Sequence, residues 1–258
     1  MPEGDTIHYA ARRIRAVLQG QVPHAIETPQ RRHGADRWPQ RLAGRAVQRV
    51  DAHGKHLFLR FEGELVLHSH LRMTGSWDVY SERQRWRRAP RRAWLVLRSA
   101  GHAVVQFDGP VLELMSESRS RFDLRLARLG QDILGEDFDE QLALAALREC
   151  EPTRGIGDAL LDQQIVAGIG NVWKAETCFA ARLDPWRAAG EVPDEQLLLA
   201  LRFARERMAA SARAGFAERP REVYRRSGED CRRCGGRVRS RGQGDENRIT
   251  YWCAGCQV

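Results

Sequence analysis

The sequence predicts an α+β multi-domain protein: an N-terminal helix with an antiparallel β-sandwich, a helical helix–two-turns–helix domain, and a small C-terminal cysteine ribbon. Three observations predict it. Short runs rich in β-branched and aromatic residues, broken by Gly or charged turns, fill the first half. After Leu129-Gly130 the apolar residues recur at helical spacing instead. The last segment is Gly-rich and carries four cysteines in two close pairs. We expect boundaries at 1–129, 130–220 and 221–258.

In order along the chain, residues 5–19 place Ile7, Ala11, Ile14 and Leu18 on one helical face. Asp5 or Thr6 can cap this helix, and Gly20 ends it. HLFLRF, ELVLHSHL, WDVYS, AWLVLRS, HAVVQF and VLELM then read as strands of a sandwich or barrel. ERQRWRRAPRR (82–92) is a long, very basic hairpin loop, either a solvated tip or a phosphate-facing surface. Helices are expected over 139–149, 157–166, 172–181 and 194–213.

The 258 residues carry a net charge of +8 and a sequence pI near 9.7. That balance points to a polyanionic partner, nucleic acid first. An Arg-rich composition also follows from a GC-rich genome, and all but two of the 42 basic residues are Arg. The two lysines, Lys55 and Lys174, therefore mark positions where an ammonium is wanted, since Arg does not replace a point charge or proton donor. No apolar run approaches the ~20 residues of a membrane span. The start lacks a basic-then-apolar signal pattern, so a cytoplasmic, nucleoid-associated location is expected.

Cys231, Cys234, Cys253 and Cys256 form C-x2-C-x18-C-x2-C. Four thiolates at this spacing suit one closed, tetrahedral, structural Zn²⁺ in a zinc ribbon. Metal binding would supply much of the folding free energy of so small a module. Cys150 and Cys178 stand apart, which argues against a disulfide framework. In the ribbon hairpin, RITYW should turn Arg248, Thr250 and Trp252 to one face, where an Arg can meet phosphate.

LLDQQIVAGIGNVWKAETCF (160–179) reads as helix, Gly-Ile-Gly turn, helix. The glycines let backbone approach a ligand closely, and the next helix offers its N-terminus to a phosphate. Asn171 can cap that helix or donate to a phosphate oxygen; an ordinary helix hairpin reads the same way. Lys55 sits in a turn after Gly54. LRMTG (71–75) is a loop whose Met73 either belongs to the core or acts as an apolar wedge between bases. His68 and His70 alternate on a strand, and His70 is a candidate phosphate contact.

Together PEGDT, GKHLF, SHLRMTGSW, LDQQIVAGIGN, VYRRSGEDCRRCGG and RITYWCAGCQ resemble the formamidopyrimidine-DNA glycosylase / endonuclease VIII family over essentially the whole chain. PEGDT, with Gly4, is most similar to the endonuclease VIII-like branch of actinobacterial type. The resemblance implies a bifunctional DNA glycosylase/AP lyase of base excision repair that acts on damaged DNA, duplex or single-stranded, as a monomer. It implies that Pro2, freed by Met removal, is the nucleophile and that Glu3 is a general acid/base. Lys55 would contact phosphate and assist elimination, and Arg248 would grip phosphate and serve a δ-elimination step. Asn171 would bind the DNA backbone. Arg72, Met73 and Thr74 would fill the hole left by a flipped base, and Arg128 would contact DNA. Lys174, in the same helix as Asn171, is expected to join the DNA-binding set with His70.

Thr6 stands where many family members have a second Glu, and whether its neighbour Asp5 serves instead is open, as is the detail of base recognition. The link 214–230 is short, leaving little room for a lesion-capping loop, which leans toward oxidised pyrimidines. A non-catalytic damaged-DNA-binding protein of this fold, a purine-selective glycosylase, and an RNA-binding ribbon on an unrelated β domain are the alternatives. The last does not explain the N-terminus.

Overall fold

Ile7, Ala10, Ala11, Ile14 and Leu18 form one buried stripe along helix α1 (Gly4–Leu18), as their spacing predicts. The structure, a computed structural model, describes residues 2–30, 36–215 and 219–258. Pro2 with Thr6–Ala127 forms one compact unit; Glu3–Asp5 with Arg128–Val258 forms a second. The segments expected as 130–220 and 221–258 thus fall within a single unit. The short link 214–230 includes residues 216–218, which lie outside the described residues.

In the first unit, β1 (Ala25–Glu27) and α2 (Trp38–Leu42) precede six longer strands. These are β2 (Val47–His53), β3 (His56–Phe61), β4 (Leu65–His70), β5 (Ser76–Ser81), β6 (Ala93–Ser99) and β7 (His102–Phe107). Strand β8 (Val111–Ser116) and two short helices, α3 (Glu117–Phe122) and α4 (Leu124–Ala127), complete it. One antiparallel sheet runs β1-β6-β7-β5 and the other β2-β3-β4-β8. Alternate residues of both, among them Val50, Leu57, Leu59, Leu67, Leu95, Leu97 and Val104, share one core with the α1 stripe. Period-two alternation fixes this register, because a one-residue slip would turn every core side chain outward.

On the outer face of the second sheet His56 pairs across with His70, Phe58 with His68, and His68 with Glu113. On the outer face of the first, Trp86 of the basic loop packs on Tyr80 and Phe107. That loop is therefore pinned by its one aromatic residue rather than being a free tip.

In the second unit β9 (Gln131–Asp132) pairs in parallel with β10 (Val166–Ala167). Helices α5 (Glu140–Glu149), α7 (Asn171–Ala180) and α8 (Asp194–Ala214) surround the fully buried Trp173. Asp139 caps α5 by accepting from the backbone of Gln141 and Leu142 at 2.7 and 3.3 Å. The helix expected over 157–166 is a correction: only Ile156–Ala159 (α6) is helical. Side chains there outcompete the helix for backbone groups. Asp162 accepts from Gln164 N–H at 2.9 Å, and Gln163 bonds Leu161 O, Ile169 O and Gly168 N–H. Gln163 thereby ties down the loop that leads into the glycine turn.

The ribbon is a hairpin of β11 (Val238–Gln243) and β12 (Arg248–Cys253). It packs on α7 through Ala175, Phe179, Val223, Val238 and its cysteines. Glu176, 1% exposed, accepts from the backbone of Glu222, Val223 and Tyr224 at 2.8–3.1 Å. Burial pushes its carboxyl up from the ordinary value, and those three N–H donors offset the cost.

Candidate active site and nucleic-acid interface

Helix α7 begins with free N–H groups, and a carboxylate from far away in sequence satisfies two of them. Glu3, 1% exposed, accepts from Val172 N–H at 2.8 Å and from Trp173 N–H at 3.2 Å. Gly170 is the N-cap residue and offers no side chain. Its hydrogen is required, since a Cβ there would lie 2.3 Å from the Glu3 carboxyl carbon. Gly4 N–H also donates to Gly168 O at 2.9 Å, and a Cβ on Gly4 would meet Gly168 Cα at 2.9 Å. The glycine turn thus permits a close approach, and the approaching group is the segment Glu3-Gly4 of this chain.

Asp5, fully buried, accepts from Ser211 Oγ at 2.6 Å and from Arg219 Nε at 2.7 Å, with a second bond from the same guanidinium. A carboxylate so engaged is a fixture of the fold.

Asn171 is the first residue of α7 rather than its cap. Its Nδ2 donates to Ile249 O on β12 at 2.7 Å, while its buried Oδ1 has no partner among the described residues. Lys174 departs from the expected DNA contact. It is fully buried, and Nζ donates to Thr250 Oγ1. Thr250 donates to Gln243 Oε1 at 2.7 Å, and Gln243 donates to Pro185 O at 2.7 Å. Burial lowers the Lys174 pKa to about 8. Its place is beneath the ribbon, holding β12. Thr250 is fully buried and Trp252 half-buried, Trp252 meeting Trp186 edge-on at 5.4 Å. Only Arg248 of that trio is exposed, paired with Glu246 on the surface. Arg128 is exposed as well.

In the first unit Pro2 is half-buried. Lys55, in the β2–β3 turn, and Arg72 both lie near enough to His70 to lower its pKa, after burial, to about 4. His70 is therefore neutral at pH 7. Its Nδ1 accepts from Arg72 N–H at 3.1 Å, which leaves the proton on Nε2 as a donor. Leu71 anchors the following loop in the core, and Arg72, in the left-handed region (φ 48°), turns the chain outward. Met73 is 59% exposed at the tip and is not part of the core. Thr74 Oγ1 donates to Asp108 O at 3.2 Å.

Behind His70 runs a polar chain. Glu113, gripped by Arg125, accepts from His68 Nδ1 at 3.2 Å, so His68 Nε2 is left as an acceptor. It takes the Nδ1 proton of His56 at 2.8 Å. Burial and the neighbouring cationic and imidazole groups lower His56 to about 2.

The thiols of Cys231, Cys234, Cys253 and Cys256 lie within 4.8 Å of one another. Cys231–Cys256 are 3.8 Å apart and Cys234–Cys253 3.5 Å. Tetrahedral ligands at ~2.3 Å from a metal are separated by about 3.8 Å, so the set fits one ion. Cys178 differs: burial pushes its thiol up to about 12, an inert packing residue.

Residues 1–115 match the model for the formamidopyrimidine-DNA glycosylase N-terminal domain, and residues 129–217 match that for the formamidopyrimidine-DNA glycosylase H2TH domain. The chain belongs to the formamidopyrimidine-DNA glycosylase family. It is 39% identical to a probable endonuclease 8 2 of Streptomyces coelicolor, covering 100% of this chain and 94% of that one. It is 34% identical to the DNA-(apurinic or apyrimidinic site) lyase Nei2 of Mycolicibacterium smegmatis, covering 100% and 99%. A Lactococcus lactis Fpg (MutM) solved with oxidised-pyrimidine DNA superposes with a TM-score of 0.82 at 25% identity, covering 99% of each chain.

Several parts of this family member's site were not singled out in the sequence. The Glu3 and Asp5 anchors span 169 to 214 residues of chain, and no local pattern announces them. His56 and Glu113 sit in ordinary strand positions, visible only once β3, β4 and β8 are paired.

Proposed function

We infer that this bifunctional DNA glycosylase/AP lyase of base excision repair acts through Pro2, with Glu3 as its proton-transfer partner. Removal of Met1 leaves a secondary amine on Pro2, and an α-amine titrates near ~8, so a useful share is neutral at working pH. The nitrogen attacks C1′ of the damaged nucleotide. The nitrogen gives up its proton and the C1′–base bond breaks; the sugar ring then opens at C1′–O4′, with O4′ taking a proton, and leaves a cationic iminium that acidifies C2′–H. Loss of that proton and departure of the 3′-phosphate nick the strand by β-elimination, and Arg248 serves the δ step. The observation that carries the reading is the grip on Glu3: both carboxylate oxygens are held by the first N–H groups of α7, one residue from Pro2. The two bonds fix the position of the Glu3 carboxylate, the next residue in the chain after the nucleophile.

Lys55, His70, Asn171, Arg248 and Arg128 bind phosphate, positioning the sugar without reading sequence. Arg72, Met73 and Thr74 fill the gap left by the everted base. One Zn²⁺ on the four cysteines clips the ribbon and stabilises the hairpin that bears Arg248; it takes no part in the chemistry. Oxidised pyrimidines are the favoured lesions, because the short link 214–230 leaves little room for a lesion-capping loop.

Duplexes carrying an abasic site, an oxidised pyrimidine or 8-oxoguanine test this. The abasic strand and the oxidised-pyrimidine strand should be cut, the latter faster than the 8-oxoguanine strand. Preference for 8-oxoguanine would overturn the lesion assignment. A cutting-competent protein whose mass retains Met1 would remove Pro2 from the mechanism.

A further inference from the structure

The basic loop 82–92 is a built element. Trp86 lies 6.1 Å from Tyr80, nearly parallel, and 5.6 Å from Phe107, edge-on. Arg87 N–H donates to Tyr80 Oη at 3.3 Å, and Ser81 N–H to Gln84 Oε1 at 3.2 Å. On the far side, Asp108 acts as a hub. Its carboxylate pairs with Arg88 at 3.1 Å and Arg92 at 2.6 Å, and its N–H donates to Arg92 O at 3.1 Å. Its carbonyl takes the Thr74 hydroxyl, while Arg88 Nη1 reaches Thr74 O at 3.4 Å. The loop and the Arg72–Thr74 tip are thus braced against the same residue, which itself sits in the left-handed region (φ 47°).

Two of the loop's arginines make this brace. Arg83, Arg85, Arg87 and Arg91 are exposed and form no ion pair within the described residues. Like charges held this close repel one another, and a loop evolved only for solvation would not be clamped at both ends. We propose that this loop is a second phosphate-binding surface, gripping the backbone of duplex DNA beside the point where the Arg72–Thr74 tip enters. The proposal rests on the DNA-repair reading above. Its physical content is counterion release: each phosphate neutralised steepens the fall of log K with log salt by about 0.9 on B-DNA. Coupling through Asp108 makes the loop move with the tip, so its contacts form together with insertion.

The test compares two triple variants of the full-length protein on undamaged and abasic-site duplexes across a salt series. Arg83→Gln/Arg85→Gln/Arg87→Gln removes charge from the loop. Arg41→Gln/Arg182→Gln/Arg207→Gln removes the same charge from exposed positions elsewhere. The loop variant should show a salt slope shallower by about one to three units and weaker affinity at low salt, with the other variant close to wild type. An unchanged slope in the loop variant, or an equal fall in both, overturns the proposal; the latter is an effect of net charge alone. A wild type with no salt-dependent DNA affinity would overturn the DNA-repair reading itself, and this proposal with it.

Discussion

Glu3 occupies the space that a side chain on Gly170 would need. A Cβ there falls 2.3 Å from the Glu3 carboxyl carbon and 2.5 Å from its Cγ. The carboxylate can cap α7 only because residue 170 is glycine. Gly170→Ala should therefore expel Glu3 from the helix start. We expect a stability loss of roughly 1–3 kcal/mol, from two N–H groups losing a charged acceptor, and a strand-nicking rate at least tenfold lower. Denaturant unfolding and incision of an abasic duplex measure the two. Native stability with lost nicking would separate the roles of Glu3; unchanged values of both would contradict the close fit.

Lys174 gives a pH signature. Burial holds its folded pKa at about 8 against an ordinary 10.5. Between those values the unfolded chain binds the proton and the folded chain does not, so stability rises with pH across that window and is flat, for this group, below it. Relative to Lys174→Met, the wild type should gain up to roughly 3 kcal/mol from pH 8 to 10.5. A constant difference between the two would mean the ammonium is not desolvated.

His56 gives the same sign in an acid window. Its folded pKa lies near 2 against an ordinary 6.5. Its neutral form contributes stability fully above pH 6.5, and that contribution is lost as pH falls, because the unfolded chain protonates first. His56→Phe should flatten the acid limb of a stability–pH curve by up to about 1.4 kcal/mol per pH unit below 6.5. An acid limb identical to wild type would contradict the neutral His56–His68 pair.

How much of this was legible in the chain varies with the range of the interaction. AWLVLRS and HAVVQF coincide with β6 and β7 because alternation and the Ala100-Gly101 turn are local signals. The α1 stripe is equally local. The helix expected over 157–166 failed because Asp162 and Gln163 satisfy the backbone by side chain, a competition that spacing does not reveal. Lys174 is expected as a DNA contact because lysine is scarce in this chain and the residue shares a helix with Asn171. The ribbon, more than seventy residues later in the chain, covers it. Glu3 was singled out through its neighbour Pro2, whereas its grip on α7 required the fold.

The four thiols predict one bound metal per chain. Cys253→Ser should abolish stoichiometric zinc by elemental analysis and expose the ribbon to proteolysis, since the hairpin has little apolar core of its own. Full metal content in that variant would contradict the four-cysteine site.

The most direct measurement is borohydride trapping on an abasic-site duplex. Reduction of an iminium between protein and sugar leaves a covalent adduct, and peptide mapping of that adduct should find the deoxyribose on Pro2, with Pro2→Gly trapped far less efficiently. Absence of any adduct from the wild type, or an adduct carried by Lys55 with Pro2 unmodified, would contradict the account.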